Sequence, residues 1–256
     1  MPKCLPGVLV VVLLLLLLLI GVGVGLWQAA PPPLPSPHLH WRLPPHPNYP
    51  ETPLHHVYAF PLLPPEEASS YVDAMETYAA QNGGWTTKRH DAYPTTDIPV
   101  KNTPLAGKIS AMVRDRVFPI LSKVYGFKTK YLSIRDLFFV KYEAGEGQNS
   151  LEFHRDGSLL SFNILCNRSS EFDGGGTLFE ALGDRPVEPS CGDLVVHSGK
   201  LRHSGRAITR GKRYLLVGFV NVSDPAINHN LLQRYRTSVS NIELDYMLST
   251  NVVQLS

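Results

Sequence analysis

Apolar residues run without a charge through positions 8–26 at the start of the chain. At about 1.5 Å per residue, a helix of this length nearly covers the ~30 Å hydrocarbon core of a bilayer. Lys3 is the only charged side chain ahead of the run, and the next arginine or lysine is Arg42. The positive-inside rule therefore predicts a cytosolic tail over 1–7, a transmembrane signal anchor over 8–27 and a type II orientation. A signal peptide cleaved at the glycines that end the run is the alternative, and both interpretations place the folded domain in the lumen of the endoplasmic reticulum or Golgi.

Proline dominates the next segment, with ten prolines in the 23 residues 31–53. Proline removes backbone donors and favours the extended polyproline II conformation. The composition therefore predicts a semi-rigid stalk over 28–53, followed by a lumenal domain over 54–256. The histidines within the segment leave a metal-binding tract as a second interpretation, which their irregular spacing disfavours.

The lumenal domain opens with helical patterns. Pro65 followed by two glutamates and helix-forming residues predicts a helix from Pro65 to Gln81 with proline in its first turn. Apolar residues at helical spacing predict a second helix from about Leu105 to Val124. Pro119 lies inside this pattern, so a kink or break is expected there.

Beyond residue 130 the pattern changes to short apolar stretches bounded by Gly, Asp, Asn or Pro. The predicted strands are Tyr131–Tyr142, Leu159–Cys166, Gly176–Ala181, Asp193–His197 and Arg213–Asn221. Helices followed by many short strands indicate a mainly β, antiparallel jelly-roll or sandwich core with helices packed on one sheet.

The composition is that of an ordinary globular protein, with 43% hydrophobic residues, 18% charged residues and a formal net charge of +2. It excludes a disordered or collagen-like chain, and without a dense Lys/Arg run it predicts no nucleic-acid partner. Cys166 and Cys191 could pair in an oxidising lumen, but sequence alone leaves this open. Asn167 and Asn221 are glycosylation sequons. Asn167 is the favoured site, because Asn221 ends a predicted core strand.

One constellation of residues carries chemistry. His154 and Asp156 are two positions apart, so their side chains fall on the same side of an extended chain. His203 follows 49 residues later, and Arg213 begins a predicted strand ten residues after that. Two histidines and one carboxylate on one face of a metal leave open positions opposite, as in non-haem Fe(II) oxygenases. A guanidinium nearby can bind a carboxylate with two hydrogen bonds, which suits a dicarboxylate co-substrate.

These residues lie in motifs that resemble the Fe(II)/2-oxoglutarate-dependent dioxygenases of the prolyl/lysyl hydroxylase type, most similarly the catalytic domain of procollagen-lysine hydroxylases. The resemblance covers roughly 84–222. The matching motifs are PTTDI (94–98), FVKY (139–142), HRDGS (154–158), SFNIL (161–165), FDGGGTLF (172–179), HSGKLRHSG (197–205) and GKRYLLVGFV (211–220).

The resemblance implies a double-stranded β-helix (jelly-roll) fold and a role for several individual residues of the motifs. His154, Asp156 and His203 match the iron ligands, and Arg213 matches the residue that pairs with the distal carboxylate of 2-oxoglutarate. Tyr142 is expected to reach the co-substrate, and Asn163 is expected to contact and support the residues that bind the metal and the co-substrate. Fe(II), 2-oxoglutarate and O2 are the implied cofactors and co-substrates, with ascorbate as reductant. Another motif histidine, His197, is expected to pack or hydrogen-bond rather than bind metal.

The predicted function is therefore hydroxylation of prolyl or lysyl side chains of secretory-pathway proteins by a membrane-anchored enzyme. Two alternatives remain: the same chemistry on a small molecule, glycan or lipid, or a silent jelly-roll binding module. Intact His154, Asp156, His203 and Arg213 disfavour the silent module. The identity of the substrate and the formation of a homodimer stay open.

Overall fold

The computed structural model describes residues 33–43, 53–87, 89, 93–145 and 147–223. The predicted cytosolic tail and signal anchor lie outside these residues. Among the described helices, none is both long and apolar enough to cross a membrane. From Pro35 onward the described residues group into one compact unit.

Twelve strands are defined within the described residues, so the prediction of a mainly β fold is confirmed. They are β1 (Leu39–Arg42), β2 (His56–Pro61), β3 (Asp97–Pro99), β4 (Leu132–Glu143), β5 (Leu151–His154), β6 (Leu160–Leu165), β7 (Phe172–Gly174), β8 (Thr177–Phe179), β9 (Pro186–Val187), β10 (Asp193–Ser198), β11 (His203–Gly205) and β12 (Ile208–Val222).

The strands form two antiparallel sheets. The larger has the order β1-β2-β10-β6-β12-β4-β3, and β7 pairs with the start of β12. The smaller has the order β5-β11-β8-β9. Most neighbours in both sheets are distant in sequence, so their pairing depends on tertiary register rather than on tight hairpins.

Apolar side chains from both sheets meet in a shared core. Val57 and Val195 of the larger sheet pack with Phe179 and Val187 of the smaller sheet, and all four are fully buried. At about 25 cal/mol per Å² of buried apolar surface, such side chains each contribute roughly 1.5–3 kcal/mol toward folding. This core holds the sheets face to face, and the polar residues described below lie at one end of it.

Three α-helices are described, α1 (Pro65–Gln81), α2 (Ala106–Met112) and α3 (Phe118–Tyr125), and α1 and α3 contact the face of the larger sheet that lies away from the smaller one. The ring of Tyr71 in α1 meets the edge of Phe139 in β4, with centroids 6.4 Å apart. The Tyr125 hydroxyl of α3 donates to the His56 carbonyl of β2 at 3.0 Å. The prediction of helices packed on one sheet is therefore confirmed.

Both helix predictions hold in detail. The first helix begins at Pro65 and ends at Gln81 as predicted, with two glutamates in its first turn, where the helix dipole favours negative charge. The second pattern divides into α2 and α3, separated by a π-helical turn over Val113–Val117. Pro119 is the second residue of α3, and the chain stays helical through it, so the kink or break expected there takes the form of a π-helical turn just ahead of the proline, which accommodates the missing proline N–H.

Part of the predicted stalk is a strand instead. Residues 39–42 pair antiparallel with β2 in full register from Leu39 opposite Ala59 to Arg42 opposite His56. Proline is absent from these four positions, so each can join the ladder. The sheet therefore begins before residue 54, and any shortened form of the domain must keep β1.

The expected order of the two sequons is reversed by the structure. Asn167 is only 2% exposed, its Nδ2 donates to the Lys212 carbonyl at 2.8 Å, and its Oδ1 accepts from the Tyr214 N–H. These bonds occupy the amide that a glycan would need. Asn221 at the end of β12 is exposed. Cys166 and Cys191 are both free thiols.

Candidate metal and co-substrate site

Two strands of the smaller sheet bring the three predicted ligands together. His154 ends β5 and His203 begins β11, and the antiparallel register places them directly opposite each other. Asp156 follows two residues after His154. Ligand atoms of all three side chains lie within 4.8 Å of one another. The Nε2 atoms of His154 and His203 are 3.5 and 3.7 Å from the Asp156 carboxylate oxygens.

Backbone carbonyls orient both imidazole rings. Nδ1 of His154 lies 2.8 Å from the Glu152 carbonyl oxygen, and Nδ1 of His203 lies 2.8 Å from the Leu201 carbonyl oxygen. A carbonyl can only accept, so each Nδ1 carries the proton and each Nε2 keeps its lone pair. Neutral imidazoles held in this way are typical of metal ligands whose second nitrogen is hydrogen-bonded.

The Asp156 carboxylate is buried and held ionised. It is 6% exposed, and Ser161 of β6 donates to its Oδ2 at 2.5 Å. Burial by itself would raise the pKa of Asp156, but in the metal-free protein the protonated forms of His203, through charge, and of His154, through a hydrogen bond, outweigh it and hold the pKa well below its usual range. The carboxylate is therefore available as an anionic ligand at neutral pH.

A third histidine, His197 of β10, lies behind the cluster. Its ring centroid is 4.6 Å from that of His203, and its Nδ1 donates to the Ser198 carbonyl at 3.0 Å. Burial, together with the charge of His203, lowers the pKa of His197 to about 3. His197 lies outside the group of side chains whose ligand atoms converge, and it packs against His203 as a neutral ring.

Arg213 lies in the middle of β12 and is the largest fully buried side chain among the described residues, at 1% exposure. Its Nε and Nη2 atoms have no hydrogen-bond partner in the described part of the protein. The Tyr142 ring of β4, opposite Arg213 in register, lies 5.6 Å from the guanidinium carbon. A buried cation with unsatisfied donors is costly, so the arrangement fits an anionic ligand that accepts from them.

Glycines allow both of these side chains to approach the site. Gly175 has a φ of +78°, and a Cβ there would lie 3.0 Å from Cδ of Arg213. A Cβ at Gly205 would lie 2.7 Å from the Tyr142 hydroxyl. The glycine turn of residues 174–176 joins β7 to β8, and it also makes room for Arg213.

A single cavity of about 410 Å³ contains all six predicted site residues, and His197 as well. Asn163 of β6 also lines it, and its Oδ1 has no partner among the described residues. The volume falls in the range of small-molecule sites. Two imidazoles and a carboxylate form the donor set that Fe(II) takes in non-haem oxygenases, and the unsatisfied atoms of Arg213 suit a dicarboxylate. The residues present therefore fit both groups.

Two residues of this cavity, Ser161 and Tyr93, were not predicted from the sequence. Ser161 was not singled out, although its position two residues before Asn163 in a fully buried strand places both polar side chains on one face. Tyr93 was also missed. It is 40% exposed, and its ring centroid lies 5.2 Å from that of His154. No local pattern marks Tyr93, because it lies far from His154 in sequence.

Comparison with known proteins agrees with this geometry. No family model matches the chain. Over 184 residues, 67% of the chain, it is 32% identical to the multifunctional procollagen lysine hydroxylase and glycosyltransferase LH3 of Rattus norvegicus. Over 186 residues, 68% of the chain, it is 32% identical to procollagen-lysine,2-oxoglutarate 5-dioxygenase 2 of Homo sapiens. The chain spans about a quarter of the length of these curated relatives, at 24% and 25%.

Solved structures share the fold at low sequence identity. The viral collagen prolyl hydroxylase of Paramecium bursaria Chlorella virus-1 superposes with a TM-score of 0.50 at 12% identity, covering 66% of this chain and 96% of that one. The non-haem α-ketoglutarate-dependent epimerase SnoN of nogalamycin biosynthesis superposes with a TM-score of 0.52 at 14% identity, covering 65% and 76%. At these identities the likeness concerns the fold alone.

The sequence relatives, the fold and the donor set of the site are together those of the Fe(II)- and 2-oxoglutarate-dependent dioxygenase class. Within that class the chain is related to the procollagen-lysine hydroxylases. The resemblance predicted from the sequence motifs is confirmed.

Proposed function

We propose that the chain is an Fe(II)- and 2-oxoglutarate-dependent dioxygenase that hydroxylates prolyl or lysyl side chains of secretory-pathway proteins. One observation carries the proposal: a single cavity contains a His-Asp-His cluster and a buried arginine with unsatisfied donors. The curated relatives named above, one a procollagen lysine hydroxylase and the other a procollagen-lysine 2-oxoglutarate dioxygenase, support a collagen-like or other Pro/Lys-containing protein as substrate.

In this proposal His154, Asp156 and His203 would hold the iron, as two histidines and one carboxylate do in non-haem Fe(II) oxygenases. When bound, iron and 2-oxoglutarate supply the oxidising power, so that O2 converts a substrate C–H into C–OH while succinate and carbon dioxide form. Ascorbate is the proposed reductant that keeps the metal ferrous. Ser161 keeps the carboxylate of Asp156 oriented toward the metal through its 2.5 Å hydrogen bond.

The co-substrate is bound by the larger sheet. Arg213 offers its planar guanidinium to the distal carboxylate of 2-oxoglutarate, so that Nε and Nη2 gain the acceptor they lack. The Tyr142 hydroxyl and the Asn163 amide complete the polar end of the pocket. Burial raises the pKa of Tyr142, so its hydroxyl stays protonated and can donate to an anionic co-substrate.

Apolar side chains line the rest of the cavity and keep bulk water from the reacting atoms. Val140, Leu151, Leu215 and Val217 contribute to this lining. Exclusion of water strengthens the pairing between Arg213 and a carboxylate, since screening falls with the local dielectric constant.

The fold and location follow from the same proposal. The two facing sheets form a double-stranded β-helix, a jelly roll open at the end that carries the cavity. Residues 8–27 anchor the chain as a type II membrane protein of the endoplasmic reticulum or Golgi, residues 1–7 face the cytosol, and the catalytic domain faces the lumen.

Succinate release by the full chain in detergent tests the activity. It is measured with Fe(II), 2-oxoglutarate and ascorbate, with and without collagen-like and other Pro/Lys-rich peptides. Peptide-stimulated turnover, with a mass gain of one oxygen on Pro or Lys, is expected. Turnover that no peptide stimulates would move the substrate to small molecules, glycans or lipids. The absence of any turnover in a chain that binds iron would overturn the proposal and favour a binding module.

A further inference from the structure

Two arginines lie close to Asp156: Arg155 lines the cavity, and Arg135 contacts Gly157, which also lines it. Gly157 lines the cavity directly after Asp156, and its carbonyl oxygen accepts a hydrogen bond from the Arg135 guanidinium. Arg155 lines the cavity from the other side of Asp156 in sequence, and its Nε donates to the Lys200 carbonyl at 3.0 Å. Each guanidinium group is therefore fixed at one point by a backbone carbonyl.

Neither arginine is neutralised by a carboxylate. No ion pair of Arg135 or Arg155 with a described aspartate or glutamate is present, whereas other arginines of this protein are paired. Arg89, which lines the same cavity, contacts the Asp97 carboxylate at 2.9 Å and the Asp136 carboxylate at 2.5 Å. Arg135 is exposed and Arg155 half-buried, so both guanidinium groups are accessible to a ligand outside the protein.

The remaining charges of the cavity reinforce this asymmetry. Among the described lining residues Asp156 is the only acidic one, and the proposed metal would compensate its charge. A cationic side chain entering here meets like charge, while a carboxylate gains charge-assisted hydrogen bonds.

We propose that Arg135 and Arg155 form an anion subsite that binds the carboxylate of an acidic residue next to the hydroxylated residue of a polypeptide substrate. This inference rests on the proposed function and narrows its substrate to acidic segments. Arginine suits the role because its planar donors match both oxygens of a carboxylate.

Binding of fluorescein-labelled peptides to the full chain in detergent tests the subsite without requiring turnover. Three proline-containing peptides are compared that differ only in the residues flanking proline, which are Glu, Gln or Lys. Mn(II) and 2-oxoglutarate are present, and anisotropy gives each Kd. The Glu peptide is expected to bind about tenfold more tightly than the Gln peptide, and the Lys peptide most weakly. Raising the salt concentration should reduce the difference.

Variants locate the effect. Arg155→Gln and Arg135→Gln should each remove most of the preference for Glu over Gln, and Arg155→Lys should retain part of it. Arg185→Gln is the matched control and should bind like the unaltered chain, since Arg185 is exposed, lies outside the cavity lining and, unlike Arg135, donates no hydrogen bond to a described residue of that lining.

The outcomes separate this inference from the proposed function. Equal binding of the three peptides, no binding of any of them, or an unchanged preference in Arg155→Gln would overturn the subsite. If an unlabelled sulfated glycan displaces the labelled peptide and the unlabelled Glu peptide does not, the arginines bind another anion, and the subsite is overturned. Selective binding of the Glu peptide without succinate release in the Fe(II) assay would leave the subsite standing and reject the hydroxylase.

Discussion

Replacing Arg213 by methionine should strongly weaken binding of 2-oxoglutarate while leaving the ligand-free fold intact. Arg213 is 1% exposed, and its Nε and Nη2 have no partner in the described part of the protein. Methionine fills a similar volume without a charge. Because the ligand-free protein loses no ion pair of these two atoms, its unfolding midpoint should change little.

The size of the binding defect follows from the burial of the pair. Removing one partner of a buried, hydrogen-bonded charge pair costs about 2–5 kcal/mol. At about 1.4 kcal/mol per factor of ten, the Kd for 2-oxoglutarate should rise by roughly 30-fold or more. Arg213→Lys keeps the charge but lacks the planar donor pair, so an intermediate defect is expected.

Thermal unfolding with Mn(II) in place of Fe(II) measures this without turnover. At 2-oxoglutarate concentrations about 100 times its Kd, the unaltered protein should gain about 2.7 kcal/mol. For a domain of this size that corresponds to an increase in Tm of roughly 5–10 °C. At the same concentration Arg213→Met, with a Kd at least about 30-fold higher, should show at most about a third of this increase. Arg210→Gln, three residues earlier on β12 and exposed, is the control and should respond normally.

A full 2-oxoglutarate-dependent increase in Arg213→Met would refute the reasoning. It would mean that the co-substrate does not contact the guanidinium and that the unsatisfied donors of Arg213 serve another purpose. A large loss of ligand-free stability would show instead that Arg213 supports the fold through its packing against Tyr142.

Three further changes test the ligands, the backbone and the buried histidine. His203→Ala should lower bound iron per chain more than about tenfold by elemental analysis, with His38→Ala as control; unchanged iron content would reject His203 as a ligand. Gly211→Ala should cost about 1–3 kcal/mol in denaturant unfolding, because Gly211 has a φ of +73° and a Cβ would collide with the Glu171 carbonyl oxygen; an unchanged midpoint would contradict this. The pKa of His197 is about 3 in the folded protein against 6.5 ordinarily, so only the unfolded chain takes up this proton as the pH falls below 6.5. Metal-free protein should therefore lose about 2 kcal/mol between pH 6.5 and 5 from this group, and His197→Gln should show a correspondingly flatter profile; identical profiles would exclude the effect.

Local periodicity explains which predictions from the sequence succeeded. The helix from Pro65 to Gln81 and the break near Pro119 depend on proline geometry and on apolar spacing within one segment. The strands after residue 130 depend on short apolar stretches between turn residues. Such signals are properties of neighbouring residues, so they can be recognised before any tertiary contact is known.

Predictions that needed long-range information fared less well. Asn167 is buried and hydrogen-bonded to residues 45 and 47 positions away, and no sequon pattern carries that information. The strand over 39–42 lies within a proline-rich segment and exists because β2 offers it a free edge. The unpaired Arg135 and Arg155 look like any other arginines in sequence.

The candidate site residues could be recognised in the sequence alone, from the residue types at 154, 156, 203 and 213, from their order, and from the motifs that relate the chain to the procollagen-lysine hydroxylases. Only the tertiary structure brings these four side chains into one cavity. The register of β5 and β11 brings two histidines 49 residues apart into opposition, and the burial of Arg213 leaves its donors without partners. Register and burial depend on contacts between distant segments, and a single sequence records those contacts only indirectly.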